Sequence, residues 1–390
     1  MFRENSALPN RESIPILLKK SEASPMPTEA RGPDFVRPLF ADPYAGRIVL
    51  LADDLTGACD AGAAFLRTGR TVRVWFGTSV QFSTPESVQA FNTSSRAFSS
   101  HRAARAVSLA VTALAGDPNS LFFKKIDSAA RGPLGAEVLA AHRTLGTRAI
   151  LFAPAFPAAG RTVSDGVLEI DDAAGKHSTI RLDRLFPITA RGRIMQISHA
   201  RELAPAVDAG MTLLICDSST QADLDALARA AEDIPGLLYA GSAGLAQALS
   251  GLTRARPQEA LLPPAARTLL VVGTSHPVTK LQLEELDSGD AGRVRVLRLH
   301  ISFGAAARIR STFRSYTPQA LILTGGETAE LAVRALDAHS FILQGELMPG
   351  IPWGTVQGGD AHGCTVVTKS GGFGSPNSLN EILAALKGQK

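Results

Sequence analysis

Short apolar runs that stop at polar clusters and give way to Ala-rich helical stretches constrain this 390-residue chain more than anything else in it. The first run, residues 48–52, has the length and unbroken apolar character of a strand buried on both faces. It closes on Asp53-Asp54-Leu55-Thr56-Gly57, and residues 59–68 then read as a helix. Further strands are expected over 71–76, 88–92, 121–126, 149–153, 213–217 and 237–240, with helices over 101–114 and 134–145. A second array has strands over 269–272, 294–299, 320–323 and 365–368, and helices over 278–286, 305–313 and 329–336. Strand alternating with helix at this spacing specifies βαβ units and a mostly parallel sheet. The expected fold is α/β, with two domains, each a mostly parallel sheet flanked by helices, and a cleft between them.

The division follows the composition of the connecting stretches. Residues 1–45 carry scattered charge and several prolines and read as a disordered extension. Residues 46–252 form a first domain, in which 164–200 is a hairpin or excursion from the sheet. Residues 253–267, rich in Pro and Arg with little periodicity, form a linker, and 268–390 a second domain.

A hydrophobic content of 45% with 19% charged residues is that of a globular protein with sizeable cores. The net charge of +4 is not concentrated in basic runs with interleaved aromatics, so nucleic-acid binding is not expected. No apolar run approaches the roughly 20 residues of a membrane span. Cys59, Cys216 and Cys364 are far apart, without a CxxC pair, which argues against a zinc site and for a reducing cytoplasm.

The strand ends differ between the halves. Those of the first half carry charge: Asp53 and Asp54, then Arg96, then Lys124, Asp127 and Arg131, then Arg161 and Asp165. Arg pairs bidentately with a carboxylate, Lys supplies a mobile charge, and Asp accepts from hydroxyls, so the set suits a small hydroxy acid. Those of the second half carry Gly, Ser and Thr: Gly273-Thr274-Ser275, Gly325-Gly326-Glu327-Thr328 and Lys369-Ser370-Gly371-Gly372-Phe373-Gly374. Small residues let backbone N–H groups at a helix start approach phosphate oxygens. There is no G-x-x-x-x-G-K-[ST] loop and no G-x-G-x-x-G after a strand, which disfavours a P-loop or a dinucleotide site. On its own stretch, Asp53-Asp54 serves equally well as a helix cap or a catalytic pair.

Six blocks, in order, resemble the signature of the four-carbon acid sugar kinases. They are Ala52-Asp53-Asp54-Leu55-Thr56-Gly57-Ala58, Lys125-Ile126-Asp127-Ser128 with Arg131-Gly132, Phe156-Pro157 with Gly160-Arg161-Thr162, Gly241-Ser242-Ala243-Gly244-Leu245, Thr324-Gly325-Gly326-Glu327-Thr328-Ala329 and Lys369-Ser370-Gly371-Gly372-Phe373-Gly374. The resemblance implies an ATP-dependent kinase acting on O4 of threonate, erythronate or an oxo form, with Mg2+ accompanying ATP. It implies that Asp54, Arg96, Lys124, Asp127 and Arg131 line the sugar-acid side, together with Asp53, Thr56 and Arg161. Thr274 or Ser275, the turn Gly325, Gly326, Glu327 and Thr328, Lys369, and Gly371 or Gly372 would meet ATP. The sequence departs from the family where Ala129-Ala130 replace a usual Thr-Leu, in a shortened segment 171–185, and in the extension before Arg47.

Phosphoryl transfer needs a base, cations and positioning. Asp54 or Asp127 is the expected base, Asp54 favoured and Asp53 fixing the turn, while Lys124 and Arg131 hold the carboxylate or phosphoryl. Closing the two domains would exclude water. The competing reading is a non-catalytic sugar-acid or nucleotide-binding protein that kept the kinase fold. A dehydrogenase is disfavoured by the missing dinucleotide fingerprint.

Overall fold

A computed structural model describes residues 47–76, 87–114, 120–171, 175–252, 260–286, 292–300, 302 and 304–388. The extension expected over 1–45 lies outside them, as do residues 253–259 of the expected linker.

The first half runs β1 (Ile48–Ala52), α1 (Leu55–Ala64), β2 (Val72–Trp75), β3 (Val88–Asn92), α2 (Ser100–Leu114), β4 (Leu121–Lys125), α3 (Leu134–Leu145) and β5 (Ala149–Ala153). It continues through β6 (Arg161–Ser164), β7 (Val167–Asp171), β8 (His177–Arg181), α4 (Ile188–Arg191) and β9 (Ile194–Ile197). It ends with α5 (Leu203–Asp208), β10 (Leu213–Cys216), α6 (Gln221–Glu232), β11 (Leu237–Gly241) and α7 (Ala243–Gly251). The second half runs β12 (Thr268–Val272), α8 (Pro277–Glu284), β13 (Val294–Arg298), α9 (Ala305–Tyr316), β14 (Ala320–Thr324) and α10 (Gly326–Ala335). Then come β15 (Ser340–Met348), β16 (Ile351–Gln357), β17 (Thr365–Lys369) and α11 (Ser378–Leu386).

The α/β, mostly parallel, helix-flanked architecture is the expected one, but the two sheets are one. Among the described residues fourteen strands share a sheet in the order β13-β12-β14-β17-β16-β15-β2-β3-β1-β4-β11-β5-β10-β9. The apolar runs read as buried strands are buried: every residue of β1, β5, β12, β14 and β17 is covered. The join is the hairpin β15–β16, which sequence patterning misses. Register shifts at Leu343/Gly345 and Glu346/Met348 break the two-residue period of β15, and Pro352 and Gly354 make β16 read as a poor strand. Gly354 is required, because a Cβ there would run into the backbone of Ile342 and Leu343. β15 then pairs antiparallel with β2, Val74 opposite Phe341, and Arg73 Nη1 donates to Ser340 Oγ at 2.9 Å.

The stretch 164–200 does leave the sheet, as the antiparallel set β6-β7-β8, and returns as β9 at its edge. Helix α1 is buried at all ten positions. It packs on β1, β2 and β3 of its own half and against α10, β15 and β16 of the other. Its Ala/Gly composition makes this possible: a Cβ at Gly62 would lie 3.1 Å from Val72 and 3.2 Å from Leu343.

Candidate active site

Strand β1 delivers Asp53 and Asp54 to the start of α1. Asp54 is the helix cap, its Oδ1 accepting from Gly57 N at 2.8 Å and its Oδ2 from Thr56 Oγ1 at 2.9 Å. The loop after β3 is tied to the same turn, because the Asp53 carbonyl accepts from Ser95 N and Arg96 N. That tie places Arg96 over both carboxylates. Its Nε and Nη2 grip Asp53 at 2.7 and 3.1 Å, and Nη1 reaches Asp54 Oδ2 at 2.8 Å. Asp127, beyond β4, closes the ring, its Oδ1 3.3 Å from Arg96 Nη2. Arg131 grips Asp127 from the other side at 2.8 and 2.7 Å, and Ala129 N and Arg131 N also donate to it. Two non-Gly residues here, Ser94 (φ +52°) and Ala130 (φ +53°), hold left-handed backbone, a cost of the kind that collects at functional sites.

Burial would raise the Asp127 carboxyl, but Arg96 and Arg131 outweigh it and hold the group well below the usual carboxylate range. Asp53 and Asp54 are nearly inaccessible. Asp54 is therefore a helix cap that also belongs to the charged cluster.

Lys124 is not in the cluster. It is 1% exposed and its Nζ lies 2.8 Å from Glu137 Oε2 on α3, close enough for an ion pair though outside hydrogen-bond angles. Successive residues of a strand face opposite ways, so Lys125 is the one that turns toward the cluster. Lys125 Nζ donates to Ile126 O at 2.8 Å and approaches α1, where a Cβ at Gly57 would lie 3.2 Å away. The signal was in the sequence: Lys125 and Asp127 are two apart and Lys124 is out of step.

In the second half β12, β14 and β17 are neighbours, so their three turns lie side by side. They fit closely. A Cβ at Gly273 would meet Thr328 Oγ1 at 2.5 Å, one at Gly371 would meet Thr274 Oγ1 at 2.7 Å, and Gly325 (φ +95°) sits 3.1 Å from Thr274 by the same measure. Ser275 and Glu327 are exposed at the rim. Gly372 faces His276, which sequence reasoning passed over and which caps α8. Lys369 is fully buried behind the turn. Its Nζ donates to Ser370 O at 3.0 Å and Phe373 O at 3.1 Å, and burial pushes it down to about 7. Both bonds run to carbonyls of the turn itself, so Lys369 clamps the glycine turn from behind.

The halves meet at these turns. Ser370 Oγ donates to Thr56 Oγ1 at 3.2 Å, and the Arg161 guanidinium lies 5.5 Å from the Phe373 ring centre, with Phe156 packed at 6.0 Å. Gly326, the first residue of α10, has no room for a Cβ because the Asp54 carboxylate fills that space. The charged cluster of the first half and the glycine turns of the second thus meet in direct contact. Among the described residues no three His, Cys, Asp or Glu side chains gather as a metal cage, and the cluster carboxylates already face arginines. The residues therefore do not fit a protein-built Mg2+ site.

Comparison with known proteins agrees with this layout. Residues 48–197 match a sugar-binding N-terminal domain and residues 300–379 a nucleotide-binding C-terminal domain. A D-threonate kinase of Salmonella typhimurium is 27% identical over 86% of this chain and 97% of its own. The chain belongs to the four-carbon acid sugar kinase family. Other members of the family include a D-threonate kinase of Bordetella bronchiseptica, 28% identical over 88% of this chain and 98% of its own. A 3-oxo-tetronate kinase of Pseudomonas fluorescens is 25% identical over 87% and 96%. The fold of this family member also matches crystal structures from Haemophilus influenzae (TM-score 0.61, 20% identity, 87% of this chain and 100% of that one) and Salmonella typhimurium (0.64, 18%, 86% and 98%).

Proposed function

We propose that the protein is an ATP-dependent kinase that phosphorylates O4 of a four-carbon sugar acid: threonate, erythronate or a 3-oxo-tetronate. One observation carries the reading. The carboxylate of Asp54, in a cluster suited to a hydroxy acid, rests against Gly326 at the start of α10, where backbone N–H groups favour a phosphate. This contact supports a reading in which acceptor-side and phosphate-side groups act together, and relatives spanning nearly the whole chain are named as kinases of such acids.

In this reading the substrate hydroxyl gives its proton to Asp54 as its oxygen bonds to the γ-phosphorus, and the bond from that phosphorus to the β–γ bridging oxygen breaks, releasing ADP. Asp127, held strongly acidic by two arginines, is a poor base. Its part is to orient Arg96 and Arg131, while Arg131 meets the anionic acceptor and buried Lys125 adds its field. Thr274, Ser275 and the turns at Gly325–Thr328 and Gly371–Gly372 would take the nucleotide, with Lys369 fixing the last of these. Magnesium would arrive with ATP, since the cluster carboxylates are engaged with arginines. A cytoplasmic setting belongs to the same proposal.

The test is ADP release over a panel of C4 acids. Turnover with a threonate, erythronate or 3-oxo-tetronate at least a hundredfold above the ATP-only background is expected. Binding of acid or nucleotide without ADP release would replace the kinase with the non-catalytic reading.

A further inference from the structure

Asp60 lies on α1 inside the all-buried helix and has no part in the chemistry above. It is 6% exposed, and its Oδ1 has no hydrogen-bond partner. Such a group is costly to bury and calls for a reason. It is one helical turn beyond Gly57, and therefore on the same face, where the Lys125 ammonium approaches α1. Lys125 in turn is 3% exposed, spends one N–H on Ile126 O, and has no carboxylate within ion-pair distance among the described residues. Across from Asp60 stands the turn between β15 and β16, where a Cβ at Gly350 would lie 3.6 Å from Oδ1.

We propose that Asp60 is a positioning residue for the acceptor site, whose ionisation state sets how much of the Lys125 charge an anionic acceptor meets. The inference rests on the sugar-acid reading of that site. With Asp60 neutral, Lys125 is a buried cation whose field is available to the acceptor. With Asp60 ionised, that field is partly cancelled and the acceptor meets an added negative charge, so binding weakens.

The charged groups facing Asp60 are Lys125 from β4, Glu346 from β15 and Asp54 at the head of α1. Glu346 is itself tied to Arg67 and to Gly350 N. Burial pushes the Asp60 carboxyl up, Lys125 opposes this, and Glu346 and Asp54 add to it, leaving it at about 7. The carboxyl is therefore neutral below that pH and charged above it.

The experiment is acceptor KM and kcat from pH 6 to 8.5 in the wild type and Asp60→Asn, with calorimetric proton uptake on acid binding at pH 7.5 as a readout independent of turnover. The wild-type KM is expected to rise about tenfold over that range, with kcat changing less, and acid binding to take up protons. Asp60→Asn is expected to flatten the KM profile and abolish the uptake. A variant that keeps the wild-type profile overturns the proposal, as does a wild type that binds acid without proton uptake, which decides the matter even if the variant fails to fold. Acid binding with proton uptake but no ADP release would remove the kinase reading and leave this one standing. No binding of any C4 acid would remove both.

Discussion

At the scale of single residues, two neighbouring lysines make the sharpest contrast. Lys124→Met strips buried Glu137 of the cation it pairs with, and should cost about 3–5 kcal/mol of stability while the KM of the folded protein for the acid stays near wild type. Lys125→Met removes a cation beside the acid cluster and should raise that KM at least tenfold with a smaller loss of stability. Chemical denaturation and steady-state kinetics on both proteins separate the two roles; equal KM effects would undo the assignment. Asp54→Asn keeps a good helix cap, so the fold should survive while kcat drops about 10²–10⁴-fold with ATP affinity little changed. Near-wild-type turnover in a coupled assay would take Asp54 out of the mechanism.

At the scale of elements, the meeting of α1 and α10 is the feature to perturb. Gly326 opens α10 without the left-handed backbone that demands glycine, and alanine there improves helix propensity by up to about 1 kcal/mol. Its methyl would nevertheless displace the Asp54 carboxylate, so Gly326→Ala should lose kcat by an order of magnitude or more while melting within a few degrees of wild type. Unchanged kinetics would mean that the two elements separate before the reaction. This contact could not be read from the sequence, because β1 and β14 are far apart both along the chain and across the sheet. What could be read was local: buried apolar strands, the charged and glycine-rich classes of strand end, and Asp54 as cap or carboxylate. What could not was either a matter of strand parity, as with Lys124 and Lys125, or of strands with broken patterning. β15 and β16 carry bulges, a proline and a glycine, and their pairing depends on partners no local rule supplies. Lys369 shows a third reason: position in a motif does not say whether a side chain faces the ligand or braces the loop from behind.

At the scale of the whole molecule, the family's two named domains are parts of one hydrogen-bonded sheet, with α1 packed on both. The described residues should therefore unfold together. Calorimetry is expected to give a single transition whose calorimetric and van't Hoff enthalpies agree, and two resolved transitions would show the halves to be energetically separate. The β2–β15 pairing also bears on how the two halves can move relative to each other. A hinge needs a seam of free backbone, and here the seam is a ladder of main-chain hydrogen bonds running from Val72 to Trp75. Rigid swinging of one half away from the other would have to tear that ladder, so motion between the halves is expected to take one of two gentler modes. The long ribbon can change its torsion, spreading a small rotation over many strands, or the glycine turns at its rim can shift on an unmoving frame. On the proposed kinase reading, changes that stiffen the glycine turns should slow exchange of ligands more than changes at any connecting segment.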